Sequence, residues 1–127
     1  MKKSIFVIMV MVSLLAIRAF AEQRIKVAVA AADKAPTAAV VDQAGAAPYF
    51  LLFDGKGKLV ETFENPSKNA ESPGPDVINF LAGKKVTVVV AGFFGPRIMD
   101  IAKAKGITAI TFKGTAKGAV KKVLQSK

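Results

Sequence analysis

The sequence predicts a single α/β domain in three layers, with a five-stranded mixed sheet. Two observations carry this prediction. In the second half of the chain, β-branched apolar runs alternate with segments of helical periodicity, which is typical of parallel strands joined by helices. Before them, two shorter strand-like runs flank Asp54-Gly55-Lys56-Gly57, a turn sequence that favours an antiparallel hairpin. The predicted order of elements is therefore β-β-β-α-β-α-β-α.

Residues 1–21 predict a cleavable signal peptide. Lys2 and Lys3 give a positive start, and an uncharged apolar run of roughly 13 residues follows from Ile5 to Ile17. This run is shorter than the ~20 residues that span a bilayer, and Ala19-Phe20-Ala21 supplies the small residues of a cleavage site. We expect a mature domain over residues 22–127, periplasmic or secreted, with no stable membrane anchor after cleavage. An uncleaved anchor is the alternative.

The charge and residue content exclude several classes of site. The chain has 19 Lys and Arg against 9 Asp and Glu, and removing the signal leaves 16 against 9, a net charge of +7. This balance favours anionic ligands, anionic membranes or acidic partners, although solvation of exposed helix faces explains it as simply. Cysteine and histidine are both absent from the sequence. Their absence excludes disulfides, zinc–thiolate sites, cysteine-ligated clusters and the commonest general base.

The first three strands lie on either side of an alanine-rich stretch. Arg24–Ala30 alternates and then becomes uniformly apolar, which predicts a strand entering a buried sheet. Residues 31–47 have weak periodicity and predict a long loop over the sheet edge, of a kind that often binds ligands. Pro48–Phe53 and Lys58–Glu64 predict the hairpin strands. In the second hairpin strand the alternation places three side chains on one face, those of Leu59, Glu61 and Phe63.

Three helices alternate with the last two strands. Helices are predicted from Pro75 to Gly83, from Pro96 to Gly106 and after Thr115, because proline suits the first helical position, threonine caps a helix and glycine ends one. The β-branched run Val86–Val90 predicts a central parallel strand covered on both faces. Ile107–Phe112 predicts the last strand.

The ligand crevice of an open α/β sheet lies outside the carboxyl ends of its parallel strands. Glycines there let backbone amides approach a ligand, and helix N-termini attract negative charge. The turns Gly92–Arg97 and Lys113–Thr115 therefore predict an anion site, although ordinary capped turns explain them equally well. Neither turn matches a nucleotide-binding motif, and we expect no nucleic-acid partner. The candidate ligand-binding residues are Lys34, Gly92, Gly95, Arg97, Lys113, Gly114 and Thr115.

Phe93 and Phe94 are the candidate partner-binding residues, because they follow a strand and lie between two glycines. They predict an apolar mouth or a partner surface, or alternatively packing under the long loop.

Catalysis lacks candidates, since no Cys–His or Ser–His pair exists and the few carboxylates form no cluster of the kind that two-metal hydrolysis needs. We therefore expect a binding protein without catalytic or metal-ligating residues. A protein-interaction domain without a small-molecule ligand is the main alternative, and a nuclease-like enzyme follows from fold analogy alone.

Over residues 24–124 the chain resembles the dinitrogenase iron–molybdenum-cofactor-binding family, the NifX- and NafY-like domain. The resemblance rests on the order and spacing of short segments, namely Ile25–Ala30, Gly45–Asp54, Glu64-Asn65-Pro66, Pro73-Gly74-Pro75, Val88–Gly92, Gly95-Pro96-Arg97, Lys105-Gly106-Ile107 and Gly114-Thr115. It implies a ribonuclease-H-like fold with a five-stranded mixed sheet. It also implies a non-catalytic accessory role in holding or carrying an anionic metallocluster.

Two features depart from that family. Many relatives carry a His-Phe-Gly-Arg stretch in the first loop, and this chain has Gln43-Ala44-Gly45-Ala46 at the corresponding positions. A cluster therefore cannot be ligated by Cys or His, although backbone amides, Arg97 and lysines could hold an anionic one. Export is the second departure, because nitrogenase assembly is cytoplasmic. The sequence thus indicates an exported relative whose ligand need not be that of the family.

Overall fold

The structure, a computed structural model, describes residues 25–125. The predicted signal peptide and its cleavage site lie outside these residues. Among residues 25–125, none of the helices has the length and apolar character needed to cross a membrane.

The described part of the chain contains five strands and three helices in the predicted order. The strands are β1 (Lys26–Ala31), β2 (Tyr49–Asp54), β3 (Leu59–Glu64), β4 (Val88–Ala91) and β5 (Thr108–Thr111). The helices are α1 (Pro73–Gly83), α2 (Pro96–Ala104) and α3 (Ala116–Gln125), and a short 3-10 turn covers Ala44–Ala46.

The strands form one mixed sheet in the order β3-β2-β1-β4-β5. The hairpin β2–β3 is antiparallel, and β2 also pairs antiparallel with β1. Strands β1, β4 and β5 are parallel neighbours. The predicted five-stranded mixed sheet is therefore confirmed, and the carboxyl ends of three parallel strands meet along one side of it.

Both faces of the sheet are covered, which confirms the three layers. Helices α1 and α2 pack on one face and α3 packs on the other. Strand β1 explains why the run Val27–Ala31 is apolar without interruption. Its alternate residues Ala28 and Ala30 face α1 and α2, while Val27 and Val29 face α3. The predicted central position of β4 is confirmed as well, because its four residues are buried between β1 and β5.

Strand β3 differs from the prediction at its first residue. Leu59 packs on the α3 side of the sheet, whereas Phe63 packs on the opposite side. Leu59 pairs with Phe53 and Glu61 pairs with Leu52, which leaves Val60 as an extra residue that is 50% exposed. A bulge of this kind turns the preceding side chain to the other face. The prediction that Leu59, Glu61 and Phe63 share one face is therefore wrong for Leu59.

Helix α1 begins two residues before the predicted Pro75 and ends at the predicted Gly83. The left-handed residue that follows it is Lys85, with a φ of 64°, and the equivalent residue after α2 is Gly106, with a φ of 74°. Glycine accepts this conformation freely, whereas other residues are disfavoured by about 1–2 kcal/mol. Both predicted helix ends therefore lie within two residues of the observed ones.

Candidate functional site

The loop that joins β1 to β2 (residues 32–48, the β1–β2 loop) crosses the carboxyl ends of the parallel strands rather than the side of the sheet. The Val40 amide donates to the Gly114 carbonyl at 2.8 Å, and the Gly92 amide donates to the Val41 carbonyl at 2.8 Å. A Cβ atom on Gly92 would lie 2.5 Å from Asp42 Oδ1. Gly92 and Gly114 thus hold this loop in place, and the Gly92 amide is occupied by the Val41 carbonyl instead of being free for a ligand.

The N-terminus of α3 is covered by the same loop. The amides of Ala116 and Lys117 donate to the carbonyl oxygens of Ala38 at 2.9 Å and Pro36 at 2.8 Å. These amides would otherwise be the unpaired donors of the first helical turn. An anion is therefore not needed at this helix end, because the chain supplies the acceptors itself.

Thr115 completes the closure of α3. Its Oγ1 accepts a hydrogen bond from the Gly118 amide at 3.1 Å, which confirms the predicted N-cap. Its neighbour Lys113 is exposed. The predicted ligand-binding role of Thr115 is therefore corrected, because its Oγ1 is occupied by a structural hydrogen bond, whereas the roles of Lys113 and Gly114 stay predictions.

The N-terminus of α2 is open by contrast. Gly95 is the N-cap residue and has no side chain that could accept hydrogen bonds from the first-turn amides. Pro96, the first helical residue, has no N–H to donate. In residues 25–125 the amides of Arg97 and Ile98 have no hydrogen-bond acceptor. Unpaired first-turn amides at the positive end of a helix favour a bound anion. Of the two helix ends that the sequence singled out, this one has first-turn amides without an acceptor in the described residues.

A cavity of about 270 Å³ opens at this end of α2. Its walls come from three parts of the chain that are distant in sequence: the 3-10 turn of the β1–β2 loop, the start of α1 and the turn from β4 into α2. The lining residues are Gln43, Ala44, Gly45, Ala46, Pro73, Gly74, Phe93, Gly95 and Ile98. The N-termini of α1 and α2 therefore meet at one concave site.

Close backbone packing fixes the wall between the turn and α1. A Cβ atom on Gly45 would lie 2.6 Å from the backbone nitrogen of Gly74 and 2.8 Å from the Pro73 carbonyl carbon. Backbone atoms on both sides cannot move aside as a flexible side chain can. Glycine is therefore required at position 45 if the turn is to reach the start of α1.

Asn65 anchors the same turn, and sequence reasoning missed it. The side chain is 7% exposed, and its Nδ2 donates to the Gly45 carbonyl oxygen at 2.9 Å. Its Oδ1 accepts from the Ser67 amide at 2.8 Å, and its own amide donates to the Pro48 carbonyl oxygen at 3.1 Å. A buried amide side chain that bridges two loops is a structural anchor. An asparagine before a proline reads as an ordinary loop residue, so only its place in the segment Glu64-Asn65-Pro66 singled it out.

The remaining predicted site residues are not gathered at the cavity wall. Arg97 is exposed on the first turn of α2, two residues after Gly95. Lys34 is exposed on the β1–β2 loop, with its Nζ 5.4 Å from the centre of the Tyr49 ring. Of the predicted ligand-binding residues, Gly95 alone lines the cavity.

The two phenylalanines, Phe93 and Phe94, differ in exposure. Phe93 is 60% exposed and lines the cavity, which matches the predicted apolar mouth. Phe94 is 7% exposed and packs in the core beneath α1 and α2. Phe94 therefore cannot belong to a partner-binding surface in this structure, and that prediction is corrected to Phe93 alone.

Acidic groups contribute little to the site. Among residues 25–125, His, Cys, Asp and Glu form no group of three that could hold a metal ion. The carboxyl group with a displaced pKa is that of Asp54, in the hairpin turn. The backbone amide of Lys58 lowers this pKa by hydrogen bonding, with help from the amide of Lys56. The site is thus built from backbone amides, glycines and one aromatic ring.

Comparison with known proteins adds a family and a fold. The family model described as dinitrogenase iron-molybdenum cofactor matches residues 16–126. The apo form of the orange protein from Desulfovibrio gigas is 23% identical, with a TM-score of 0.72, covering 80% of this chain and 88% of that chain. A Thermotoga protein of the DUF35 family, solved by NMR, is 26% identical, with a TM-score of 0.65 and coverage of 80% and 88%. Among curated proteins the comparison found no significant match.

Proposed function

We propose a function from the premise that this chain belongs to the dinitrogenase iron-molybdenum cofactor family: it is a non-catalytic accessory protein that holds an anionic metal complex or a related anionic ligand. The observation that carries the proposal is the cavity at the open N-terminus of α2. This cavity lies beside the unpaired first-turn amides of α2, and a concave wall next to such amides favours a bound anion.

The β1–β2 loop links the cavity to the family resemblance. Gln43–Ala46 stand where many relatives carry His-Phe-Gly-Arg, and these four residues form one wall of the cavity. The chain lacks the histidine and arginine of that stretch. It has an arginine elsewhere, Arg97, in helix α2, whose first turn forms another wall of the cavity. We infer that the anion-binding role passes to the α2 end, where Arg97 can make charge-assisted hydrogen bonds.

The mode of binding follows from the residue types present. Without Cys or His in the sequence, the proposed ligand is held as an intact anion by amides and cationic side chains, and the protein does not ligate its metal through either residue. Lys34 and Lys113 are exposed, and we propose that they attract the ligand through the field of the basic surface without contacting it.

The test exploits Gly95, whose added side chain would meet no atom within 4 Å. In Gly95→Asp, the new carboxylate should cap the free amides of α2 and exclude a bound anion, whereas Gly95→Ala, whose side chain has no acceptor, is the matched control. We would measure the binding of molybdate by isothermal titration calorimetry, and the ligand of the protein from its own source by native mass spectrometry with metal analysis. Binding that is lost in Gly95→Asp and kept in Gly95→Ala supports the site. A protein that carries no anion in either measurement contradicts the proposal.

A protein partner is the second candidate function, and the exposure of Phe93 is the observation that favours it. An aromatic side chain that is 60% exposed beside a cavity is a typical anchor for a partner. Phe93→Ser should then dissociate an oligomer or a complex that analytical ultracentrifugation detects with the unmodified chain. A monomer that co-purifies with nothing argues against this function.

We also propose that the protein acts after export, in the periplasm or outside the cell. The support is the N-terminal pattern of Lys2, Lys3, the apolar run and Ala19-Phe20-Ala21. The intact mass of the protein from the exported fraction should correspond to a chain that starts at Glu22. A full-length mass in the membrane fraction would instead support the uncleaved anchor.

A further inference from the structure

A second and larger cavity lies on the opposite face of the sheet, away from the proposed anion site. It has a volume of about 530 Å³ and lies between α3 and the β2–β3 hairpin. Its apolar wall consists of Phe53, Leu59, Val120 and Leu124, all on the α3 side of the sheet.

The fold explains why this cavity exists. Helix α3 packs over β1, and it is the one helix that covers this face in the described part of the chain. The outer end of the hairpin is therefore left uncovered. The bulge at Val60 then turns Leu59 onto this face and adds it to the apolar wall.

The rim of the cavity is basic. Lys56, Lys117 and Lys121 line it, and no aspartate or glutamate does. Lys117 and Lys121 are one turn apart on α3, so two like charges face each other. Lys117 is also in the first turn of α3, where the helix dipole disfavours a cation.

Within residues 25–125, no acidic side chain compensates the charges of Lys117 and Lys121. Helix α3 has no acidic residue, and within residues 25–125 neither Lys117 nor Lys121 forms an ion pair. An anion bound between Lys117 and Lys121 would relieve the mutual repulsion of their charges. Two unfavourable charges on the same rim point to a ligand.

We propose that this cavity binds a long-chain carboxylate, with its aliphatic chain against Phe53, Leu59 and Leu124 and its carboxylate between Lys117 and Lys121. The volume lies within the range of small-molecule pockets, which is roughly 300–1,000 Å³, and such pockets are mostly apolar with few polar groups. A flat membrane surface fits less well, because the apolar side chains line a concavity and do not project from the protein. The proposal is independent of the anion site at α2, since the two cavities share no lining residue.

The test measures the binding of dodecanoate to the full chain, below its micelle concentration, by isothermal titration calorimetry. We expect saturable binding of one molecule per chain. Decanoate should bind about tenfold more weakly, because each buried methylene contributes several-fold to affinity. Dodecanol, which has the same chain without the charge, should also bind about tenfold more weakly.

Neighbouring lysines of α3 provide a matched pair of variants. Lys121→Glu should weaken dodecanoate binding about tenfold or more, because it places a carboxylate on the rim. Lys122→Glu makes the same charge change one residue later, on a side chain that does not line the cavity. The Lys122→Glu protein should therefore bind dodecanoate almost as tightly as the unmodified chain does. Both lysines are exposed, so both variants should fold.

Three results would overturn the proposal. Absence of saturable binding to the full chain would mean that the cavity takes no such ligand or that another part of the chain fills it. Equal affinity for dodecanol would remove the role of the lysines. Equal loss in the two variants would show a general charge effect rather than a site.

Discussion

The N-termini of α2 and α3 follow neighbouring parallel strands, and each follows a turn that contains glycine, with a basic residue in or next to that turn. At α3, the amides of Ala116 and Lys117 donate to carbonyls of the β1–β2 loop. At α2, the corresponding amides of Arg97 and Ile98 have no acceptor within residues 25–125. The difference comes from where the β1–β2 loop runs, and the two helix sequences do not reveal it. A helix end becomes a binding site only where the rest of the chain leaves it open.

The largest effect that would break this comparison is predicted for Gly45→Ala, on the wall of the open end. The new Cβ would lie 2.6 Å from the backbone nitrogen of Gly74, and relieving such overpacking typically costs about 1–3 kcal/mol. We expect the free energy of unfolding in urea to fall by an amount near the upper end of that range. Gly83→Ala is the control, because its Cβ would meet nothing within 4 Å. A Gly45→Ala protein as stable as the unmodified chain would show that the turn is not pressed against α1.

The next effect concerns ligand affinity at the two helix ends. Arg97→Gln should weaken molybdate binding by about tenfold, because a charge-assisted hydrogen bond contributes about 1.5–3 kcal/mol. Lys113→Gln removes one positive charge beside the closed end and should change affinity by about twofold or less, through the general field alone. Isothermal titration calorimetry of both variants gives the comparison. Equal losses would mean that the two ends do not differ in binding.

The sequence predicted individual residues of the candidate site but not how the chain brings them together. The glycine and arginine at the start of α2 were identified because their chemistry is local to the turn from β4. The covering of α3 was not predictable, since it depends on Pro36 and Ala38, whose carbonyls carry no signature of side-chain type. Asn65 was missed for a similar reason, because its role depends on burial against the distant carbonyl of Gly45.

The fold was predicted more completely than the site, because apolar periodicity reports directly on which face of an element is buried. Alternation along β1 and the continuous run of β4 were sufficient to place both strands inside the sheet. Leu59 was misplaced because a bulge adds one residue to a strand without altering its composition. The end of α1 at Gly83 was predicted correctly, although the left-handed residue that follows it is Lys85 and not a glycine.

A smaller effect at the closed end is predicted for Thr115→Ala. The loss of the hydrogen bond from the Gly118 amide to Oγ1 should lower the free energy of unfolding by about 0.5–2 kcal/mol. Thr115→Ser keeps the hydroxyl group and should retain most of the stability. Urea denaturation of the two variants measures the difference. Because the loop carbonyls still cover the amides of Ala116 and Lys117, molybdate binding should not appear at α3 in either variant.

The smallest effect comes from Asp54, which shows within this chain how backbone amides hold an anion. Its Oδ1 accepts hydrogen bonds from the amides of Lys56 and Lys58, both at 2.9 Å. These bonds stabilise the charged form, so the pKa of Asp54 in the folded protein lies below its ordinary value of 3.8. Stability from this group is therefore present above that ordinary value and is lost as the pH falls through the lower folded pKa.

An NMR titration of the Asp54 carboxyl carbon should show the lowered pKa directly, and Asp54→Asn should remove this part of the acid dependence of unfolding. The group is largely in contact with solvent, so the effect on stability is small. At the open end of α2, the carboxylate of Gly95→Asp is expected to be held by free amides in the same way and to titrate with a lowered pKa. If the new carboxyl group had an ordinary pKa while that of Asp54 is lowered, the amides of Arg97 and Ile98 would not hold an anion. The structural difference between the N-termini of α2 and α3 would then not amount to a difference in anion binding.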